Sequence, residues 1–241
     1  MRPTSLFFPP SRRARIARVA GITLILATLL EVLVIAHHPG MSLREMVQGS
    51  AAAENVGTFG EWVHGTLMVL VVAVYFGLTE FAVQQDLRRP FVRLGLIAYS
   101  LGLLAMLGAA LLNGFVTWRA LMTIGRLAAA GTLQEPTVFR QLLILASVLS
   151  QSLADVGGIA MSTGVVLWSI SILWGTRYER VVGAGGVLVG VASAIALGTG
   201  TLVLDQHGIL ALAIFEALWT VCIGVLLLQR HPLMTGTLLQ D

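Results

Sequence analysis

Six apolar segments of membrane-spanning length alternate with polar segments along the chain. A helix needs about 20 mostly apolar residues to cross a hydrocarbon core of about 30 Å, and each segment meets this requirement. Lipid offers the backbone no hydrogen-bond partners, so each segment is expected to be a helix. The pattern predicts one all-α integral membrane domain over residues 1–241, a six-transmembrane-helix bundle with spans at 16–36, 62–83, 92–114, 141–174, 182–204 and 209–229.

The composition strengthens this prediction. Of the 241 residues, 56% are hydrophobic and only 11% are charged, whereas a soluble domain carries about 25% charged residues. The lipid bilayer is therefore the expected partner. The net charge of +3 comes from arginines between the spans, so it implies no nucleic-acid partner. The single cysteine, Cys222, lies in an apolar run, which excludes a disulfide framework and a thiolate metal cluster.

The arginines are divided unequally between the two sides of the predicted bundle. Eleven lie at the N-terminus, in the second and fourth connections and after the sixth span, and four lie in the first and third connections. Because positive residues collect on the cytoplasmic side, both termini are predicted to be cytoplasmic. All basic residues are arginine, a usage typical of GC-rich genomes. We therefore expect a multi-pass protein of a bacterial inner membrane.

The outer connections predict short helices that form a cap over the bundle, at residues 40–60 and 117–140. Ser42 and Glu45 have the spacing of a capping box, and Thr58 and Glu61 repeat it at the predicted start of the second span. The segment 118–130 carries apolar residues near helical spacing with arginines among them, as in helices that lie at a membrane surface.

The fourth span is longer than a bilayer requires. Its 34 residues would form a helix of about 50 Å at 1.5 Å per residue, which exceeds the hydrocarbon core even with tilt. The excess, 141–154, is expected to project outward or to bend at Gly157-Gly158. Helix 118–130 would then cover its apolar side, formed by Leu142, Leu143, Leu145 and Leu149.

Small residues recur at every fourth position of the fifth span, at Gly186, Gly190, Ala194 and Gly198. Such spacing allows helices to approach closely. It predicts that this span is the central helix of the bundle.

Placing an ionisable side chain inside a membrane span costs free energy, so such residues are usually functional. On the predicted topology four of them are expected to converge on one pocket at the extracytoplasmic side of the bundle: Glu31, His64, Asp155 and Glu216. Other acids and histidines at this level have simpler explanations, such as helix capping or solvation. They form a second tier of candidates, comprising His37, His38, Glu61 and His207.

Imidazole and carboxylate groups together suit a transition metal ion such as Fe, Zn or Cu. Glu61 and His64 also have the i, i+3 spacing of carboxylate-bridged di-iron bundles, although those sites use two such pairs and this chain has one. Haem is less favoured, because no two histidines lie at matched depth in different spans. The first hypothesis is a metal-binding membrane protein, with a redox enzyme as one form of it.

Two other functions remain open. An acid next to a helix break resembles the sites of secondary transporters, so Asp155 with Gly157-Gly158 favours a small proton- or ion-coupled transporter. The third hypothesis is an accessory or scaffold subunit, whose buried acids pair within a membrane complex or a homo-oligomer.

Overall fold

The computed structural model describes residues 10–37, 51–130, 136–204 and 206–229. These residues form seven α-helices and one π-helical turn. The helices are α1 (Pro10–Ala36), α2 (Ala51–Gln84), α3 (Pro90–Leu111), α4 (Thr117–Ala129), α5 (Pro136–Ile172), α6 (Arg177–Gly198) and α7 (Gln206–Gln229), and the π-helical turn is Leu112–Val116.

Six of the described helical stretches are long and apolar enough to cross a membrane. They coincide with the six predicted spans, which confirms an all-helical, multi-pass membrane protein. Consecutive long helices run in opposite directions. We name the end of the bundle that carries the connections 85–89 and 173–176 the turn end, and the opposite end the cap end.

The start of α2 differs from the prediction. The helix begins at Ala51, so Thr58 lies inside it and the capping box predicted at Thr58 and Glu61 is wrong. The alanines that precede Thr58 are the strongest helix formers, and they allow the helix to start upstream. The Glu61 side chain instead faces Arg119 of α4 at 3.4 Å. The capping box predicted at Ser42 lies outside the described residues.

A capping box does begin α6. The Thr176 hydroxyl accepts a hydrogen bond from the backbone N–H of Glu179 at 3.3 Å, and the Glu179 carboxylate accepts one from the N–H of Thr176 at 2.7 Å. These two bonds satisfy backbone N–H groups that the first turn of a helix leaves without partners. The fifth span therefore begins at Arg177 rather than at 182.

The third span does not end at 114. Residues 112–116 form a π-helical turn that joins α3 directly to α4, so the helical backbone continues from Pro90 to Ala129 without the predicted loop. The helix predicted at 118–130 exists, at Thr117–Ala129, but as an extension of the third span.

Helix α5 is a single uninterrupted helix of 37 residues, or about 55 Å at 1.5 Å per residue. The predicted excess length is confirmed, and the predicted break at Gly157-Gly158 is wrong. The cover that helix 118–130 was expected to supply is also incomplete. Leu143 is buried, but Leu142, Leu145 and Leu149 remain exposed, because α4 continues from α3 and has few contacts with α5.

The six long helices pack as two groups of three. Helix α1 lies between α2 and α7 and contacts both extensively, and we call these three helices half A. Helix α5 lies between α3 and α6 in the same way, and these three form half B. Contacts between the halves, from α2 to α3 and from α6 to α7, are much sparser. The predicted central position of α6 is therefore wrong, since α1 and α5 hold the central positions.

Glycines bring the helices of each half into backbone contact. In half B a Cβ on Gly102 would lie 2.7 Å from the carbonyl oxygen of Gly157, and one on Gly164 would lie 3.0 Å from that of Gly95. These four residues form what we call the glycine seam. In half A the seam between α1 and α7 is shorter, at Gly21 and Gly224. Each half is therefore packed more closely than the boundary between the halves.

Candidate functional site

A small cavity lies where the two halves meet. Its volume is ≈ 30 Å³, and five helices line it: α1, α2 and α7 from half A, and α3 and α5 from half B. Because a bound water needs at least about 10–15 Å³ of such volume, the cavity holds about two water molecules or one small ion. Its polar lining residues are Thr28, Glu31, Tyr99, Glu216 and Thr220.

Two carboxyl groups face this cavity from neighbouring helices. Glu31 is five residues from the end of α1, and Glu216 is near the middle of the 24 residues of α7. At 1.5 Å per residue, Glu216 lies about 20 Å from the turn end, and Tyr99, which lines the same cavity, about 14 Å. For Glu216 this is about two-thirds of a 30 Å hydrocarbon core. The acid pair therefore lies nearer the cap end of the bundle than the turn end.

Hydroxyl groups surround the pair. The Ser162 hydroxyl of α5 donates a hydrogen bond to Glu216 Oε1 at 3.2 Å, so this bond crosses from half B to half A. The Thr220 hydroxyl donates to the backbone oxygen of Glu216 at 2.8 Å. The Thr28 hydroxyl is buried and has no hydrogen-bond partner among the described residues. The cavity therefore contains an unsatisfied hydroxyl besides the two carboxyl groups.

The chemical character of the cavity follows from its lining. Apart from the Met161 thioether, its side-chain donor atoms are oxygens, and neither a histidine nor an arginine is among the described residues that line it. Oxygen ligands suit protons and hard cations, whereas Zn and Cu sites in proteins draw on imidazole or sulfur. With two acids and no base, the cavity is suited to binding positive charge.

Aromatic rings close the gap between the halves on the turn-end side of the cavity. Tyr75 of α2 stacks on Tyr99 of α3 with 6.3 Å between ring centroids, Tyr99 lies 5.3 Å from Trp168 of α5, and Trp168 lies 6.5 Å from Trp219 of α7. We call these four rings the aromatic layer. Trp168 is fully buried and donates a hydrogen bond to the Val92 backbone oxygen at 3.1 Å. Tyr99 belongs to both the layer and the cavity lining, and Trp168 lies nearer the turn end.

His64 does not reach the cavity. It lies 20 residues before the end of α2, about 30 Å from the turn end. Its Nδ1 is 2.9 Å from the backbone oxygen of Gly60, and its ring packs against Gly114 in the π-helical turn. Lack of a side chain at Gly114 is what makes room for the imidazole. The histidine therefore occupies a packed position at the cap end.

Asp155 is also separate from the acid pair. It lies about 25 Å from the turn end by the same measure, and it accepts a hydrogen bond from Gln151 Nε2 on its own helix at 2.9 Å. The glycines that follow it are packing sites, with Gly157 against Met106 and Gly158 against Leu197.

The second-tier candidates are spread over the cap end. His37 is exposed and pairs with the backbone oxygen of Leu33 at 2.8 Å. Glu61 pairs with Arg119, and His207 is exposed in the first turn of α7. His38 lies outside the described residues.

The structure therefore brings together two of the four residues expected in one pocket. Glu31 and Glu216 share the cavity, whereas His64 and Asp155 lie nearer the cap end. Over the described ranges, no three His, Cys, Asp or Glu side chains are placed to hold a metal ion together. The set of ligands predicted from the sequence does not assemble within these ranges.

Sequence reasoning missed the polar neighbours of the acid pair: Thr28, Tyr99 and Thr220, which line the cavity, and Ser162, which donates to Glu216. Two of them carried a signal. Thr28 precedes Glu31 by three residues and Thr220 follows Glu216 by four, so each threonine lies on the same helix face as an acid. Tyr99 and Ser162 carried none, because their place depends on how half B packs against half A.

No protein family, curated protein or solved structure matches this chain.

Proposed function

We propose that this protein is a secondary transporter that carries protons across the membrane, with Glu31 and Glu216 as the proton-carrying pair. The observation that supports the proposal is the meeting of two carboxyl groups in one small cavity at the boundary between two three-helix halves. Carboxyl groups inside membrane-spanning helices are costly and are typical of proton and ion pathways.

The cavity limits what can be carried. A volume of ≈ 30 Å³ accommodates protons, water or a small ion, and no organic molecule. A carboxylate oxygen binds a proton when the cavity communicates with one side of the membrane, and the same O–H bond breaks when it communicates with the other. The carboxylate is thereby restored, and one proton has crossed for each carboxyl group that completes the cycle.

The packing of the bundle provides a way to change access. Transporters commonly move one compact unit of helices against another around a central site. Here the glycine seam holds half B together, while the boundary between the halves has few contacts. A rocking movement would break the Ser162–Glu216 hydrogen bond and part the aromatic layer, which opens the cavity to the turn end. On the arginine distribution we propose that this end faces the cytoplasm of a bacterial cell, with both termini on the same side.

The two other hypotheses receive less support. A scaffold subunit would pair its buried acids with groups of a partner chain, but Glu31 and Glu216 face a cavity between helices of their own chain. A Zn or Cu site would draw on imidazole or thiolate ligands beside the acids, and the described lining contains neither, its one sulfur being the thioether of Met161.

A proton-flux assay tests the proposal. The purified protein is reconstituted into liposomes that contain a pH-sensitive dye, and an imposed pH gradient is allowed to decay with valinomycin and potassium present to compensate charge. We expect protein-containing vesicles to lose the gradient faster than empty ones.

Asp155→Asn provides the matched control, because Asp155 is an intramembrane acid outside the cavity. We expect its flux to equal that of the wild type. Decay at the empty-vesicle rate, with protein shown to be folded by its thermal transition, would contradict the proposal.

A further inference from the structure

The Thr28 hydroxyl is the starting point for an additional role of the same cavity. Its oxygen is buried, lines the cavity, and has no hydrogen-bond partner within the described part of the chain. Leaving such a group unsatisfied destabilises the fold. The Thr28 side chain is only 3% exposed, so bulk solvent does not supply the partner. A ligand in the cavity would supply it.

The arrangement of oxygens around the cavity repeats on two helices. On α1, Thr28 lies one turn from Glu31 on the turn-end side. On the antiparallel α7, Thr220 lies one turn from Glu216, also on the turn-end side. Both acid–hydroxyl pairs line the same cavity. Two carboxylates and two neutral hydroxyl oxygens thus surround a volume that fits one small ion.

We infer that the cavity binds an alkali-metal cation, Na⁺ or one of similar size, with Thr28 Oγ1 as one of its ligands. The inference rests on the proposed function, because it takes the acid pair as the site that binds the transported ion. It goes further in naming a cation that competes with protons for the same carboxylates. Two carboxylates are neutralised when they bind two protons, or one proton and one alkali cation. Either combination avoids the high cost of net charge within the membrane.

Hydroxyl ligands separate this site from a simple proton carrier. A proton needs only a carboxylate oxygen, so a protein that carries protons alone has no use for the Thr28 oxygen. A cation with several oxygen ligands loses one of them when Thr28 is changed to valine, which keeps the branched shape of the side chain and removes the hydroxyl. Thr79 offers a matched control, because its hydroxyl is also buried without a partner among described residues, yet it does not line the cavity.

Binding of ²²Na⁺ to the full-length protein in detergent tests the inference. We expect saturable binding at one site per chain, weakened as the pH is lowered because protons then occupy the same carboxylates. Thr28→Val should weaken the binding about tenfold, equivalent to about 1.4 kcal/mol. Thr28→Ser should retain it, because the oxygen remains, and Thr79→Val should leave it unchanged.

Two results would overturn the inference. One is the absence of saturable Na⁺ binding by folded wild-type protein, which would leave the cavity to water and protons. The other is an equal effect of Thr28→Val and Thr79→Val, which would mean that the loss of a buried hydroxyl matters only for packing. The assay uses no vesicle and no gradient, so its outcome is independent of whether the protein transports protons. Flux without Na⁺ binding refutes the inference alone, and Na⁺ binding without flux refutes the proposed function alone.

Discussion

Glutamine in place of Glu31 or Glu216 should abolish proton flux. Each substitution preserves the size and hydrogen-bonding capacity of the side chain but removes the group that binds and releases the proton. We expect a decrease of at least about tenfold for each, equivalent to about 1.4 kcal/mol in the rate-limiting barrier. The measurement is the decay of a pH gradient across proteoliposomes containing equal amounts of each variant.

The double variant Glu31→Gln/Glu216→Gln distinguishes a pair from two independent sites. Both acids line one cavity and act together in the proposed cycle. Removing the second carboxyl group should therefore add little to the loss of flux caused by removing the first. Residues that act as a unit show such non-additive effects. Independent, multiplicative losses would contradict a shared site. Wild-type flux in both single variants would remove Glu31 and Glu216 from the mechanism.

Leucine at Gly102 should cause a large loss of stability. A Cβ at this position would lie 2.7 Å from both the Gly157 carbonyl oxygen and the Met161 backbone nitrogen. These are backbone atoms of α5, so a side-chain rotation cannot relieve the contact and the two helices must separate. Overpacking of this kind costs about 3 kcal/mol, the upper part of the usual range. For a chain of this size the midpoint of thermal unfolding should fall by about 6–12 °C.

Gly185→Leu is the matched control for that experiment. Gly185 lies on α6, and a Cβ there would meet no atom within 4 Å. We expect its effect on stability to stay within about 0.5 kcal/mol, as for other exposed sites. Thermal unfolding in detergent, followed by tryptophan fluorescence, measures both variants. Equal transitions for Gly102→Leu and Gly185→Leu would show that the glycine seam does not hold half B together.

Much of the fold could be predicted from the hydrophobic pattern. Each span is a continuous apolar run, and the cost of unpaired backbone groups in lipid makes each run helical. Boundaries were harder, because the same Thr-x-x-Glu pattern occurs at Thr58 and at Thr176. Only Thr176 begins a helix, since Gly175 precedes it, whereas helical alanines lie upstream of Thr58.

Glycines show a second limit of the sequence. Gly157 was interpreted as part of a helix break because it follows an acid in an overlong span. Its actual role is to bring α5 against Gly102 of α3. The seven-residue spacing of the seam glycines is visible in the sequence, but it does not indicate which helix lies opposite. That information depends on three-dimensional packing.

The candidate site was predicted only in part, for the same reason. Glu31 and Glu216 could be identified because each interrupts an apolar run away from a helix end. The residues beside them could not be identified, because the depth of each residue in the bundle was estimated from the predicted ends of its span. His64 and Asp155 were expected beside the acids, yet they lie about 5–10 Å nearer the cap end than Glu216 at 1.5 Å per residue. A helix longer than the membrane, such as α5, makes that estimate unreliable.

Access to the cavity from both sides of the membrane is the central requirement of the transport proposal. It can be measured with a cysteine at Ala213, which lines the cavity, in a Cys222→Ala background that contains no other thiol. The variant is reconstituted in oriented vesicles and treated from one side or the other with Ag⁺, a thiol-reactive ion small enough for the cavity. We predict modification from both sides, with the faster side changing when the pH gradient is reversed. Modification from only one side, or from neither, would contradict the account.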